Sequence, residues 1–390
     1  MFSSKAAASQ ALNSLSTFVI GFFSLRMLNQ QDFIAWTLLS SAWIAAQSIR
    51  RSVYLEPALV SGISIAVATA MRRSRWTMLV LVAGPTSAAF HRGHLAGSEV
   101  IGACSFLLLM LQDEYRFLGY ASRPELSIKV DASFFACFSL TALPLAALDS
   151  GYAGLCLALF SAAFISNLVG WSGRLFKASE DDSDARGISL HGDDLWYLLQ
   201  IVFATTSGFV ITNLLVTTLS GAEFVQLRAY QWLISPLQAV TTILTAGALV
   251  GARTKSDVQT ARKLGIRFFT TSAVVGILLA VVGLPLWRIM FGAEAHLETR
   301  LLVLALVTPV FVVTISPFGI LMRKFRLARQ VLAGSVAGVA ANLLLLFGLG
   351  WATSVDGVLA ATAISSATTG VSSLLMLKKS QERALASLDG

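Results

Sequence analysis

Apolar runs of roughly 17–25 residues recur along the whole chain, and that is the length an α-helix needs to cross a hydrocarbon layer of about 30 Å. No water inside a bilayer satisfies backbone N–H and C=O groups, so runs of this length close their hydrogen bonds internally, as helices. The pattern predicts twelve spans, at about 7–29, 33–60, 76–92, 96–115, 131–149, 152–173, 195–219, 224–250, 267–290, 299–321, 329–350 and 357–377. Composition points the same way, with 55% of 390 residues hydrophobic and 13% charged. A soluble domain of this size needs a far more charged surface. The expected fold is an all-α polytopic membrane protein. No cleavable signal precedes the first span, which is expected to target the chain itself.

The net charge of +8 is explained by loop placement, without a nucleic-acid partner. Lys5, the Arg72-Arg73-Ser-Arg75 cluster, Arg116, Arg123, Lys129, Arg174, Lys177 and Arg186 fall on one set of connections. So do the basic residues of 253–267, 323–329 and 378–383. The alternate connections, such as Asn29-Gln-Gln-Asp32, Asp149-Ser-Gly151 and Ser220-Gly-Ala-Glu223, are short and carry few cations. The positive-inside rule then places both termini in the cytoplasm of a cytoplasmic (inner) membrane and requires an even number of spans. Cys104, Cys137 and Cys156 sit in apolar runs without pairing or ligand spacing, and read as small buried hydrophobes. No metal site and no cofactor is expected.

One hydrophilic stretch interrupts the pattern, Lys177-Ala-Ser-Glu-Asp-Asp-Ser-Asp-Ala-Arg186 through Asp194. It reads as a cytoplasmic linker between a six-helix lobe at 1–176 and another at 195–390. A repeat supports the division. Phe18-Val-Ile20, Leu28, Asp32 and Phe33 can be laid at a constant offset over Phe209-Val-Ile211, Leu219, Glu223 and Phe224. Two similarly oriented halves are the parallel-repeat arrangement some transporters use, with the substrate site between halves.

Polar residues inside the spans mark the candidate site. Trp36, Ser40, Trp43, Gln47, Arg50 and Tyr54 follow steps of three and four, so they share one helix face. Arg228, Gln231, Ser235, Gln238, Thr242 and Thr245 do the same in the eighth span, and Gln10, Asn13, Thr17, Gly21 and Ser24 in the first. Thr206, Asn213, Thr217 and Ser220 form a less complete stripe on the seventh. Faces of this kind avoid lipid, and they are expected to converge on a hydrated central cavity. The bland alternative is helix–helix glue, worth about 0.6 kcal/mol per polar pair; it fits the seventh span best. Aromatic rings alternating with amides and guanidinium suit sugars and phosphates, because rings stack, amides pair hydroxyls and arginine grips phosphate bidentately. The candidate substrate-binding residues are Asn13, Trp43, Gln47, Arg50, Tyr54, Arg228, Gln231 and Gln238.

Arg50 and Arg51 point about 100° apart and cannot do the same job. Arg50 shares the cavity stripe. Arg51 lies off it and is expected to snorkel or pair with Glu56. Arg50 falls eighteen residues beyond Asp32, about 27 Å down the helix, where a pyrophosphate entering from the cytoplasm would first be met. The competing reading is that both arginines only anchor the helix at the interface. Asp113, Glu114 and Arg116 close the fourth span and read as a solvated charge cluster, and Gly334-Ser-Val-Ala-Gly338 as a small-residue packing face.

Several stretches together resemble the polysaccharide exporter and O-antigen flippase family, within the multidrug/oligosaccharidyl-lipid/polysaccharide exporter superfamily. They are Gln10-Ala-Leu-Asn13-Ser, Asn29-Gln-Gln-Asp32-Phe33, Arg51 to Glu56-Pro57, Leu111 to Phe117 with Asp131 beyond, Leu284-Pro-Leu286 and Phe291-Gly292. The resemblance covers essentially the whole chain and rests on loose motifs. It implies twelve helices in two six-helix lobes around a central cavity, lined by the first, second, seventh and eighth. It also implies the flipping of an isoprenoid-pyrophosphate-linked saccharide across the cytoplasmic membrane, with a glycan polymerase or glycosyltransferases as partners beside membrane lipids.

Two other classes stay open: a cation-coupled small-molecule or drug antiporter of the same superfamily, and a scaffold within a glycan-synthesis complex. The antiporter would want a membrane-embedded carboxylate, for which Glu56 is the candidate. An enzyme is not expected, since His91, His94, His191 and His296 are dispersed and no phosphate-cradling Gly-Lys-Ser/Thr loop occurs. The topology is checked by introduced cysteines: Gly221 and Asp356 should label from outside the cell, and Ser183 and Ser256 should not. External labelling at Ser183 overturns the parity.

Overall fold

The computed structural model describes residues 4–50, 97–122, 124–172, 192–237, 258–291, 297–324 and 327–386. Among them the secondary structure is helical throughout. In chain order the helices are α1 (Ser4–Met27), α2 (Gln30–Arg50), α3 (Gly97–Ser122), α4 (Pro124–Ala147), α5 (Gly151–Ser172) and α6 (Gly192–Thr218). Then come α7 (Gly221–Leu233), α8 (Val258–Phe291), α9 (Thr299–Lys324), α10 (Ala328–Leu343) and α11 (Val355–Ala386). Seven of these are long and apolar enough to cross a membrane. The chain is an all-α multi-pass membrane protein. The expected span at 76–92, residues 51–60 of the second, residues 238–250 of the eighth and nearly all of the linker lie outside the described residues. At the linker's end, Gly192–Asp194 already belong to α6 rather than to a connection.

The chain divides into two compact units, Ser3–Ser189 and Leu190–Gly390. In the first, α5 packs against α3 and α4 through Cys156, Ala158, Ala162 and Ala163, all fully buried, because small side chains let helix backbones approach closely. Phe23, Phe106, Phe134 and Phe138 fill the space beside them, with Phe134 and Phe138 stacked at 6.1 Å and Phe23 edge-on to Phe138 at 6.0 Å. Outward positions such as Leu140 and Leu148 are more than two-thirds exposed, as a lipid-facing surface requires. The cysteines are free, but only Cys156 is buried; Cys104 is exposed, so the expectation of three buried hydrophobes fails there. Its position on α3 is on the outward side, a distinction that an all-apolar run hides.

In the second unit α8 packs on α9, α9 and α10 on α11, and α6 on α10. The face read as small-residue packing behaves as such. A Cβ on Gly338 would overlap the Thr369 hydroxyl, and Ser365 Oγ donates to the Gly338 carbonyl at 2.7 Å. Helix α10 ends in a π-helical turn, Leu344–Gly348, and reverses through Gly350, whose φ of 73° favours glycine.

Within each unit, the contacts join ends that the loop parity assigns to one side. Arg300 pairs with Asp356, and Glu298 N–H donates to Tyr230 Oη at 3.0 Å, all at ends assigned outside. The loops at Asn29 and Ser220 carry related caps. Asn29 Oδ1 accepts from Asp32 N–H at 2.9 Å while Asn29 Nδ2 donates to the Asp32 carboxylate at 2.8 Å. Ser220 Oγ accepts from Glu223 N–H at 3.3 Å and Ser220 N–H donates to the Glu223 carboxylate at 3.0 Å. These are the positions that the repeat superposes.

Gly338→Val should lower the melting temperature of the detergent-solubilised protein, overpacking costing about 1–3 kcal/mol. Gly208→Val should leave it unchanged, because nothing lies within 4 Å of a Cβ there.

Candidate functional site

The polar and aromatic stripe of α2 faces the interior of its own unit. Trp36 is 1% exposed, between Phe106 at 5.7 Å and Tyr152 at 6.2 Å, and Trp43 stacks on Phe106 at 5.2 Å. Gln47 is buried, and Arg50 is 0% exposed. Gln47 and Arg50 are thus taken up inside the first unit, while Trp43 stays partly buried. The physical reason lies on α3, which supplies an aromatic partner at Phe106 and an anionic one at Glu114. Tyr54, Arg51 and Glu56 fall outside the described residues.

Arg50 closes α2 and points at the last turns of α3. Its Nη2 is ion-paired with the Glu114 carboxylate and its Nη1 donates to the Met110 carbonyl at 2.5 Å. Two residues beyond Glu114, Arg116 Nε reaches Asp131 Oδ1 of α4 at 2.9 Å and Oδ2 at 3.1 Å. Arg116 Nη1 reaches Asp113 at 3.1 Å, and Nη2 donates to Gln10 Oε1 of α1 at 3.2 Å. Ser9 donates to Asp131, and Ser127 donates to the Arg116 carbonyl at 3.0 Å. Asp113, Glu114, Arg116 and Asp131 are each at least 97% buried. The expected solvated cluster is therefore an enclosed network joining α1, α2, α3 and α4. Charges removed from water are tolerated only when paired and hydrogen-bonded, and here each arginine has both.

Asp131, Ser9 and the buried role of Glu114 were missed. The signal was present in part: Gln112 to Arg116 is polar around more than half a helical turn, too wide to be one solvated edge, and Asp131 opens an apolar span. Asn13 stays half-buried on α1, one turn beyond Gln10, with Thr17 exposed after it, so the first stripe splits between network and surface.

In the second unit, Arg228 and Gln231 come together on one face of α7. Arg228 Nη1 donates to Gln231 Oε1 at 2.7 Å, Nη2 donates to Thr212 Oγ1 of α6 at 3.0 Å, and the guanidinium lies 5.3 Å over the Phe224 ring. Asn213 is taken up by the Phe209 carbonyl at 2.8 Å, the helix-internal use that the bland reading gave the seventh span. Gln238 lies outside the described residues.

No family model matches the chain, and no curated protein does. Solved structures do. A MATE transporter in the bent conformation superposes with a TM-score of 0.60 at 11% identity, covering 98% of this chain and 96% of that one. An inward-facing multidrug resistance MATE family transporter of the MOP superfamily gives 0.59 at 13% identity, with 96% of each chain covered. A Vibrio cholerae MATE transporter gives 0.55 at 14%, covering 96% and 95%. The fold is that of the MATE transporters. One of these structures is described as belonging to the MOP superfamily, and none of the three as an O-antigen flippase.

The enclosed pair is tested by a double-mutant cycle. Glu114→Gln and Arg50→Met should each destabilise the protein by about 3–5 kcal/mol, since each strands a buried charge. The double variant should cost clearly less than the sum of the two, read from thermal or denaturant unfolding in detergent. Additive losses would mean that the pair does not interact.

Proposed function

We propose that the chain is a transporter of the cytoplasmic membrane that works by alternating access and exchanges an amphipathic small molecule for a cation. The observation that carries this reading is Asp131. It is 1% exposed, lies within a membrane-spanning helix, and is bonded to both Ser9 and Arg116. Carboxylates inside membrane helices are costly and mark ion and proton pathways. Asp131 therefore takes the place that Glu56 held in the sequence reading of a coupled antiporter. The multidrug description of one neighbour supports the same cargo class. Both termini are placed in the cytoplasm on the strength of the loop charges.

A second reading is the flipping of a lipid-linked saccharide in concert with glycan polymerase or glycosyltransferases. One observation favours it: Arg228 is a largely enclosed cation held by neutral groups, as an incoming pyrophosphate would find useful. Arg50 no longer supports that reading, because Glu114 occupies its guanidinium.

The test is purified protein in liposomes, with uptake of a fluorescent amphipathic dye measured under an imposed proton or sodium gradient. Uptake should follow one of the gradients and fall to background in Asp131→Asn at matched protein level. Uptake indifferent to both gradients, or unchanged in the variant, overturns cation coupling through Asp131.

A further inference from the structure

We infer that Arg228, with Thr212 and Gln231, forms an anion-binding site in the second unit that takes a phosphoryl or carboxylate group. The inference deepens the transporter reading, and rests on it for the claim that the anion belongs to cargo. The argument begins with the guanidinium, which stays protonated at any pH a cell meets and offers five N–H donors. Two are used, one by Gln231 Oε1 and one by Thr212 Oγ1. The Nε lies enclosed with no acceptor. Both partners are neutral, so among the described residues no carboxylate is paired with the guanidinium.

The contrast with the first unit is direct. There Arg50 has Glu114, and Arg116 has Asp113 and Asp131. Arg228 takes part in none of the ion pairs among the described residues. The acids of the elements around it are engaged elsewhere or lie out of reach. Glu223, the one acid of α7, closes the helix cap with Ser220. Glu298 is tied to Gln226 and to Tyr230, each two residues from Arg228 and so about 200° around the helix. Asp193 and Asp194 stand at the opposite end of α6, at least eighteen residues or about 27 Å from Thr212.

The scaffold does not require a cation here. The offset that superposes Phe33 on Phe224 places Thr37 opposite Arg228, and Thr37 is a buried neutral residue. An enclosed arginine with spare donors and neutral props is costly to the empty protein and well matched to a planar oxyanion, which it can grip bidentately. The side chain is partly buried, and the donors that Gln231 and Thr212 do not use are the ones such a group would take.

The experiment measures binding to purified protein in neutral detergent, with no gradient, by calorimetry and thermal shift. The probes are dodecyl phosphate, inorganic pyrophosphate and dodecyltrimethylammonium. Dodecyl phosphate should bind and raise the melting temperature by mass action, and dodecyltrimethylammonium should not. Arg228→Gln should weaken the phosphate by about tenfold or more, the worth of a charge-assisted bond, and Arg228→Lys by less. Pyrophosphate binding as tightly as dodecyl phosphate would support the site and identify its ligand as a water-borne anion; much weaker binding would identify an amphipath. Without probe, Arg228→Gln should melt no lower than the wild type, because it removes an uncompensated charge. Equal affinity of Arg228→Gln for dodecyl phosphate overturns the inference. So does a lower melting temperature of the empty variant with no phosphate-dependent difference, which would make Arg228 a structural brace. Neither arm depends on transport, so loss of gradient-driven uptake would count against the transporter reading and leave this site standing.

Discussion

A guanidinium cannot shed its charge, so an arginine enclosed by membrane helices has to be met by a counterion or a ligand, and this constraint organises the first unit. Arg50 and Arg116 tie four helices at one end, α2 to α3 through Glu114 and α1 and α4 to α3 through Arg116, Asp131, Ser9 and Gln10. Apolar side chains do little to fix how membrane helices slide or rotate against each other, because lipid tails are as apolar as a leucine. A directional network of charges does fix it, and in other proteins buried polar groups serve that purpose of register. The aromatic packing of Trp36, Trp43 and Phe106 and the close approach of α5 through its alanines are possible once that register is set.

Much of the architecture was legible in the chain because span length, loop charge and cap chemistry are local properties. The helices at Gly151–Ser172 and Thr299–Lys324 fall within a few residues of the runs that predicted them. The packing role of Gly334 and Gly338 was visible in their spacing. What was not legible was partnership. The stripe from Trp36 to Arg50 has the same periodicity whether it faces a cavity or the core of a lobe. Only Glu114, 64 residues further on, decides between them. Likewise Gln112 to Arg116 reads as a solvated edge until helices from three other parts of the chain close over it.

The same limit applies to the arginines of the candidate site. Arginine at a helix end has two physical outlets, water or a carboxylate, and sequence alone shows the first while hiding the second. Arg228 and Gln231 came together because three residues along one helix is a neighbour relation that sequence does contain. Thr212 was not chosen, since its tie to Arg228 runs across the loop to another helix.

The two stretches that the sequence offset lays over each other share some features and differ in others. The Asn29–Asp32 and Ser220–Glu223 caps do related work at the same offset, each holding the entry of a helix whose fourth residue is a fully enclosed phenylalanine, Phe33 or Phe224. One turn beyond, the halves part. The first places a buried threonine at position 37 and keeps its arginines further along, neutralised within the lobe. The second places Arg228 there with neutral company. The asymmetry is one of charge, since Thr37 buries a neutral hydroxyl without a hydrogen-bond partner and Arg228 holds a full charge. Among the described residues the first unit supplies the enclosed carboxylates and the second an arginine in neutral company, and the proposed anion site rests on that contrast.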